Sequence, residues 1–138
     1  IQNLIRIAAD ARKFSYAPYS HFAVGAALLG ADAKIYTGCN IENAAFTPGN
    51  CAERTAIFKA VSEGCREFSA IAIVGGKLDE DALAQAGYTT PCGVCRQVLR
   101  EFVNPSAFAV ILARTIEAYK VYTLEELLPE SFGPENLK

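Results

Sequence analysis

Cys51-Ala52-Glu53 and, further on, Pro91-Cys92-Gly93-Val94-Cys95 supply three thiols that could bind one metal, with a carboxylate two residues after the first. Structural zinc sites close the tetrahedron with four protein ligands, whereas catalytic sites use three and leave the fourth position to water or substrate. Three thiols plus a Glu fit the second kind. The Glu would carry the proton that a metal-activated water must lose. Residues two apart on a helix do not normally face each other. At the extreme N-terminus this objection weakens, because a metal beyond the helix end can be met by Cys51 from the rim and by Glu53 from inside the first turn.

Charge sets a further requirement. Three thiolates around Zn²⁺ leave a net negative charge, which makes the metal a weaker acid toward its water than three neutral imidazoles would. Two helix N-termini aimed at the cluster would each offset about half a charge and offer free N–H donors to the sulfurs. Arg54 adds a full positive charge beside Cys51. Other readings stand beside this one. A C-x-x-C pair alone equally suits a redox or a structural zinc motif, and Cys39 as a fourth ligand would close the site. Cys65 reads as a bystander, and His21, the single histidine, as a surface residue.

These residues need elements to hold them. Leu4, Ile5, Ala8 and Ala11 share one helical face within Ile1 to Ser15, and Pro18 disfavours helix before it. Ala23 to Leu29 and Lys34 to Thr37 read as a hairpin, followed by a long loop over Gly38 to Asn50. Cys51 to Glu63 and Cys95 to Phe102 have helical spacing, so each cysteine group opens a helix. Ala70 to Gly75 is a continuous apolar run expected of a strand buried on both faces. Ala107 to Ala113 and Ala118 to Tyr122 complete a sheet, and Thr123 to Glu126 is a capping box for a final short helix. The order α-β-β-α-β-α-β-β implies a three-layer α/β/α domain.

With 138 residues, 51% of them hydrophobic, the chain has the size of one domain over 1–138 and can bury an ordinary core, so a metal is not needed merely to hold it together. A net charge of −2 and a pI near 5.4 give no basic footprint for a polyanion, which favours a small neutral ligand over DNA or RNA. No apolar run approaches a membrane span, and Ile1 to Arg12 lacks a signal-peptide core; the expected location is cytoplasmic. Five cysteines in such a compartment argue for metal or thiol chemistry over a disulfide framework.

Zinc deaminases that act on nucleobases carry a His or Cys first ligand, a Glu two residues on and a P-C-x-x-C pair. Through that known signature, the chain resembles the small homotetrameric cytidine deaminases. The likeness runs through Tyr16 to Ser20, Phe22 to Leu28, Gly38 to Ala44, Cys51 to Ala56, Pro91 to Gln97, Leu127 to Pro129 and Phe132. It implies a mixed five-stranded sheet in the three-layer sandwich and one zinc-dependent deaminase domain. It also implies hydrolysis of cytidine and 2′-deoxycytidine to the uridines and ammonia, as in pyrimidine salvage, by a zinc-bound hydroxide. Zn²⁺ would be held by Cys51, Cys92 and Cys95, with Glu53 protonating ring N3 and then the departing amine.

By the same resemblance, Asn40 and Glu42 hydrogen-bond the sugar, Phe22 packs on the nucleoside, and Ala52 meets the base through its backbone. Relatives of this length form homotetramers with active sites at subunit interfaces; Phe132 looks like the aromatic that stacks on a neighbour's pyrimidine, with Tyr19 nearby. Phe46 stands where relatives often have Tyr, so any hydrogen bond from that hydroxyl is absent. The competing expectations are an aminohydrolase for another cytosine nucleoside such as blasticidin S, a zinc-stabilised binding module, and a polynucleotide deaminase. Asn40, Glu42 and the Arg54-Thr55 pair favour the plain nucleoside over the first. The acidic balance disfavours the last.

Overall fold

Two cysteine-bearing helices begin at the same end of one sheet, and the strand directions explain why. The computed structural model describes residues 1–80 and 87–138. Strands β1 (Phe22–Gly30) and β2 (Ile35–Cys39) form an antiparallel hairpin, and β1 pairs antiparallel on its other side with β3 (Phe68–Lys77). Both β2 and β3 therefore run the same way. Helix α2 (Ala52–Ser62) follows β2, and α3 (Gly93–Phe102) follows β3 before the chain returns as β4 (Ala109–Ala113), parallel to β3. Each helix starts beyond the C-terminal edge of a co-directed strand, the place where open α/β sheets build ligand sites. An antiparallel edge strand, β5 (Tyr119–Thr123), completes the mixed five-stranded order β2-β1-β3-β4-β5.

The alternation of side chains across the pleat divides the core in two. Ala26, Leu28, Ile71, Ile73, Val110 and Leu112 pack with Ala56 and Ile57 of α2, Leu99 of α3 and Leu124, which opens the short helix α4 (Leu124–Leu127). Ala27, Ala70, Ala72, Val74, Ile111 and Ala113 meet Leu4, Ile5 and Ala8 of α1 (Gln2–Ala11) on the opposite face. The domain is thus the expected three-layer sandwich, with β3 covered on both sides. The capping box at Thr123 is present, with Glu126 Oε1 accepting from Thr123 N at 2.8 Å.

Several boundaries differ from the sequence expectation for identifiable reasons. Helix α1 stops at Ala11 and tightens into a 3-10 turn over Arg12–Phe14 instead of continuing to Ser15. Ser15 then turns to extended backbone, and Arg12 at the turn is buried, its guanidinium donating to Ala23 O at 2.9 Å and Gly76 O at 3.0 Å. Strand β1 begins at Phe22 and β3 runs to Lys77, extended by their mutual pairing. The segment read as a loop from Gly38 starts as the end of β2 and carries isolated bridges from Ile41 to Tyr16 and Asn50. Those bridges tie the loop that carries Asn40 and Glu42 to the residue before the first thiol.

Candidate metal centre and active site

Cys51 and Cys92 each occupy the N-cap position of their helix in extended backbone conformation, at φ −81° and −68°. A cap residue points its side chain back over the helix end, where the free N–H groups lie. Cys95 N accordingly donates to Cys92 Sγ at 3.4 Å. The sulfurs of Cys51 and Cys92 are 3.9 Å apart and those of Cys92 and Cys95 3.3 Å, and all three lie within 4.8 Å of one another. A tetrahedral zinc with ordinary Zn–S bonds needs sulfurs about 3.8 Å apart. The soft donor set and its spacing fit zinc. Among the described residues Cys39 is not in this cluster; it ends β2 half-buried.

Arg54 donates from its guanidinium to Cys51 Sγ at 3.3 Å. Hydrogen bonds from Cys95, Arg54 and Cys92 bring the Cys51 thiol down to about 5, while the Cys51 thiolate pushes Cys95 upward. Arg54 Nε is the one buried side-chain nitrogen or oxygen without a partner among the described residues. A second brace runs from Asn50 Nδ2 to Thr55 Oγ1 at 3.3 Å and from that hydroxyl to Cys51 O at 3.1 Å.

Glu53 sits in the first turn of α2 and is only 4% exposed. Burial, reinforced by the Cys51 charge, pushes its carboxyl up to about 7, where it can both take and give a proton near neutrality. Its position depends on close packing behind it. A Cβ on Gly38 of β2 would stand 2.5 Å from Ala56 N and closer still to Ala52 O, so only glycine lets α2 lie this near the strand.

The thiols of Cys51 and Cys92 and the Glu53 carboxyl open on a cavity of about 630 Å³. Tyr19, Asn40, Glu42 and Ala52 line it, together with Arg54. Phe22 and Phe132 do not. Phe22 opens β1 and lines a separate cavity of about 380 Å³ that shares Thr89 with the first. Phe132 is 58% exposed in the C-terminal segment.

The two residues expected at the sugar are already tied down. Asn40 Oδ1 accepts from Val24 N and its Nδ2 donates to Phe22 O, both at 2.8 Å, so the amide continues the ladder where β2 ends. Glu42 Oε1 accepts from Tyr19 N at 3.0 Å and Ser20 N at 3.1 Å, and Oε2 accepts from the Ser20 hydroxyl. The Ser20 hydroxyl and these amides hold the Glu42 carboxyl below its ordinary value, so it stays ionised. Ser20, Asn50, Thr89 and Thr90 also line the cavity and were not singled out from sequence. Ser20 lies inside the quoted Tyr16 to Ser20 motif, but its hydroxyl's contact with Glu42 spans 22 positions and no local pattern signals it.

Comparison with known proteins bears on what this arrangement does. The pattern describing the cytidine and deoxycytidylate deaminase zinc-binding region matches residues 1–111. A cytidine deaminase of Sporosarcina psychrophila is 47% identical over 137 residues, covering 99% of this chain and 94% of the relative. One from Halalkalibacterium halodurans is 44% identical over 136 residues, with 99% and 96% covered. Among solved structures, the cytidine deaminase from Burkholderia pseudomallei superposes with a TM-score of 0.83 at 45% identity, covering 94% of this chain and 97% of its own. That from Mycobacterium tuberculosis gives 0.77 at 34% identity, with 95% of each chain covered.

Proposed function

Since the chain belongs to the family of the cytidine and deoxycytidylate deaminase zinc-binding region, we propose that it hydrolyses cytidine and 2′-deoxycytidine to uridine and 2′-deoxyuridine with release of ammonia, a reaction of pyrimidine salvage in the cytoplasm. The observation that carries this reading is the buried Glu53 carboxyl near three clustered thiols, on a cavity that Asn40 and Glu42 also line. Among the described residues no helix is long and apolar enough to cross a membrane.

Cys51, Cys92 and Cys95 would hold Zn²⁺, which supplies a Lewis acid that makes water a competent nucleophile near neutral pH. Glu53 accepts the proton released as water adds at C4 of the pyrimidine and delivers it to N3. It then moves a proton to the exocyclic amine; the C4–N bond breaks, the C4 carbonyl forms and ammonia leaves. Burial suits Glu53 to both transfers, because a carboxyl titrating near neutrality is neither too weak a base nor too weak an acid. Arg54 offsets thiolate charge at Cys51. Ala52, at the cavity wall, would meet the base through its backbone.

Asn40 and Glu42 recognise the sugar hydroxyls through the lone pairs and the N–H that their contacts with the main chain and the Ser20 hydroxyl leave free. A nucleobase without its sugar would leave these groups unmatched, so free cytosine should be a poor substrate. Tyr19, on the cavity wall, flanks the nucleoside, and Phe22 would meet it from the neighbouring cavity that shares Thr89. The ring of Phe132, outside its own metal-side cavity, supports a homotetramer in which it stacks on a neighbouring protomer's pyrimidine. The test is Glu53→Gln assayed with cytidine and analysed for bound zinc. Turnover should fall by about 10²- to 10⁴-fold with zinc retained, the range for loss of a positioned acid–base group. Undiminished turnover would refute the assignment.

A further inference from the structure

Helix α3 carries Cys92 and Cys95 at its start, and the rest of the helix grips the C-terminal segment. Arg96 donates to Pro91 O at 2.8 Å and to Leu127 O at 2.6 Å, and Gln97 Nε2 donates to Phe132 O at 2.9 Å. One turn further on, Arg100 is only 7% exposed. Its Nε donates to Ser131 Oγ at 2.7 Å and its guanidinium pairs with Glu135. The contacts lie on both sides of Phe132 in the chain. Between them, a Cβ on Gly133 would collide with the guanidinium, so the backbone next to Phe132 is seated directly on the Arg100 fork. A buried cation makes bonds in a fixed planar geometry, unlike the freely rotating head of a surface lysine. The Phe132 ring itself remains more than half exposed.

We propose that Arg100, clamped by Ser131 and Glu135, is a positioning residue that sets where Phe132 is presented for its neighbour's substrate. The clamp fixes the main chain on either side of an exposed ring, which is what an aromatic needs when its contact lies outside its own chain. Because the same helix holds two thiols at its other end, the metal side of one site and the aromatic offered to another share one rigid element. The inference rests on the proposed stacking role of Phe132, and the experiment separates the two.

Four full-length proteins are compared with cytidine: the wild type, Glu135→Gln, Phe132→Ala and the double variant. Glu135 is the exposed partner in the clamp, and Gln keeps its shape and an acceptor oxygen for the buried Arg100; thermal unfolding of each variant checks that it is folded before KM is compared. Phe132→Ala should raise KM. Glu135→Gln should raise KM by about threefold, the scale of losing one partly exposed ion pair, with kcat and zinc content unchanged. In the Phe132→Ala background the same change should leave KM unaltered, because the clamp then presents nothing. If Glu135→Gln leaves KM unchanged, or raises it equally in both backgrounds, the positioning role is overturned while the stacking role stands. If Phe132→Ala leaves KM unchanged, the stacking role fails and the positioning role falls with it.

Discussion

At the scale of single residues, the centre is a problem in charge. Three sulfurs gathered within 4.8 Å would repel as thiolates, and the structure meets this with Arg54 at 3.3 Å from Cys51 and with the Cys95 N–H donated to Cys92 at the start of α3. If Arg54 restores the electrophilicity that thiolate ligands remove, Arg54→Gln should lower turnover by roughly tenfold at neutral pH. The rising limb of its pH–rate profile should move about one unit alkaline, since one unit corresponds to a modest electrostatic change. Unchanged turnover and an unchanged profile in steady-state assays would count against the role. The thiols, Glu53 and Arg54 were legible in sequence because their chemistry is unusual at their spacing. The double use of Asn40 and Glu42 was not, since it depends on β1 and the Tyr19–Ser20 turn arriving alongside them.

At the scale of elements, the site depends on how closely α2 sits on the hairpin. Gly38→Ala would press a methyl into the backbone of α2 at Ala52 and Ala56. The expected cost is about 1–3 kcal/mol, as for overpacking elsewhere, together with weaker zinc retention because Cys51 and Glu53 ride on the displaced turn. Thermal unfolding and metal analysis of the variant check both.

Behind the same hairpin, Tyr36 of β2 is buried, and its hydroxyl donates to Asp32 Oδ2 at 3.2 Å. Burial, with help from Asp32 and Cys65, pushes the phenol from 10.0 to about 12. The fold thus favours the protonated phenol: its stabilisation is complete below pH 10.0 and is lost as pH rises toward about 12. Tyr36→Phe should lose less melting temperature than the wild type across that interval; an identical alkaline decline in both would contradict this. Helices and strands were readable from periodicity, but their ends were not. Helix α1 tightens into a 3-10 turn at Arg12, whose side chain is committed to Ala23 and Gly76 far along the chain, and pairing across the sheet lengthened β1 and β3.

At the scale of the whole molecule, the sandwich brings together chemistry dispersed over most of the chain, because β2 and β3 run alike and each sends its helix from the same edge. The alternation α-β-β-α-β-α-β-β announced the layers in sequence. The strand order and the cavity needed the fold, since neither Thr89 nor Ser20 has a local signature of its place on the wall. The rings of Phe46, at 98%, and Phe132, at 58%, are exposed in the single chain.

The central claim is hydrolytic deamination of a cytosine nucleoside at a three-cysteine zinc centre. It is tested most directly by following the ultraviolet absorbance of cytidine with the native protein, after zinc is stripped by a strong chelator, and after zinc is restored. Absorbance should fall with the native protein, stay constant with the stripped one and fall again on restoration, with ammonia released in step. A native, zinc-loaded protein that leaves cytidine and deoxycytidine unchanged would contradict the account, as would full activity after zinc removal.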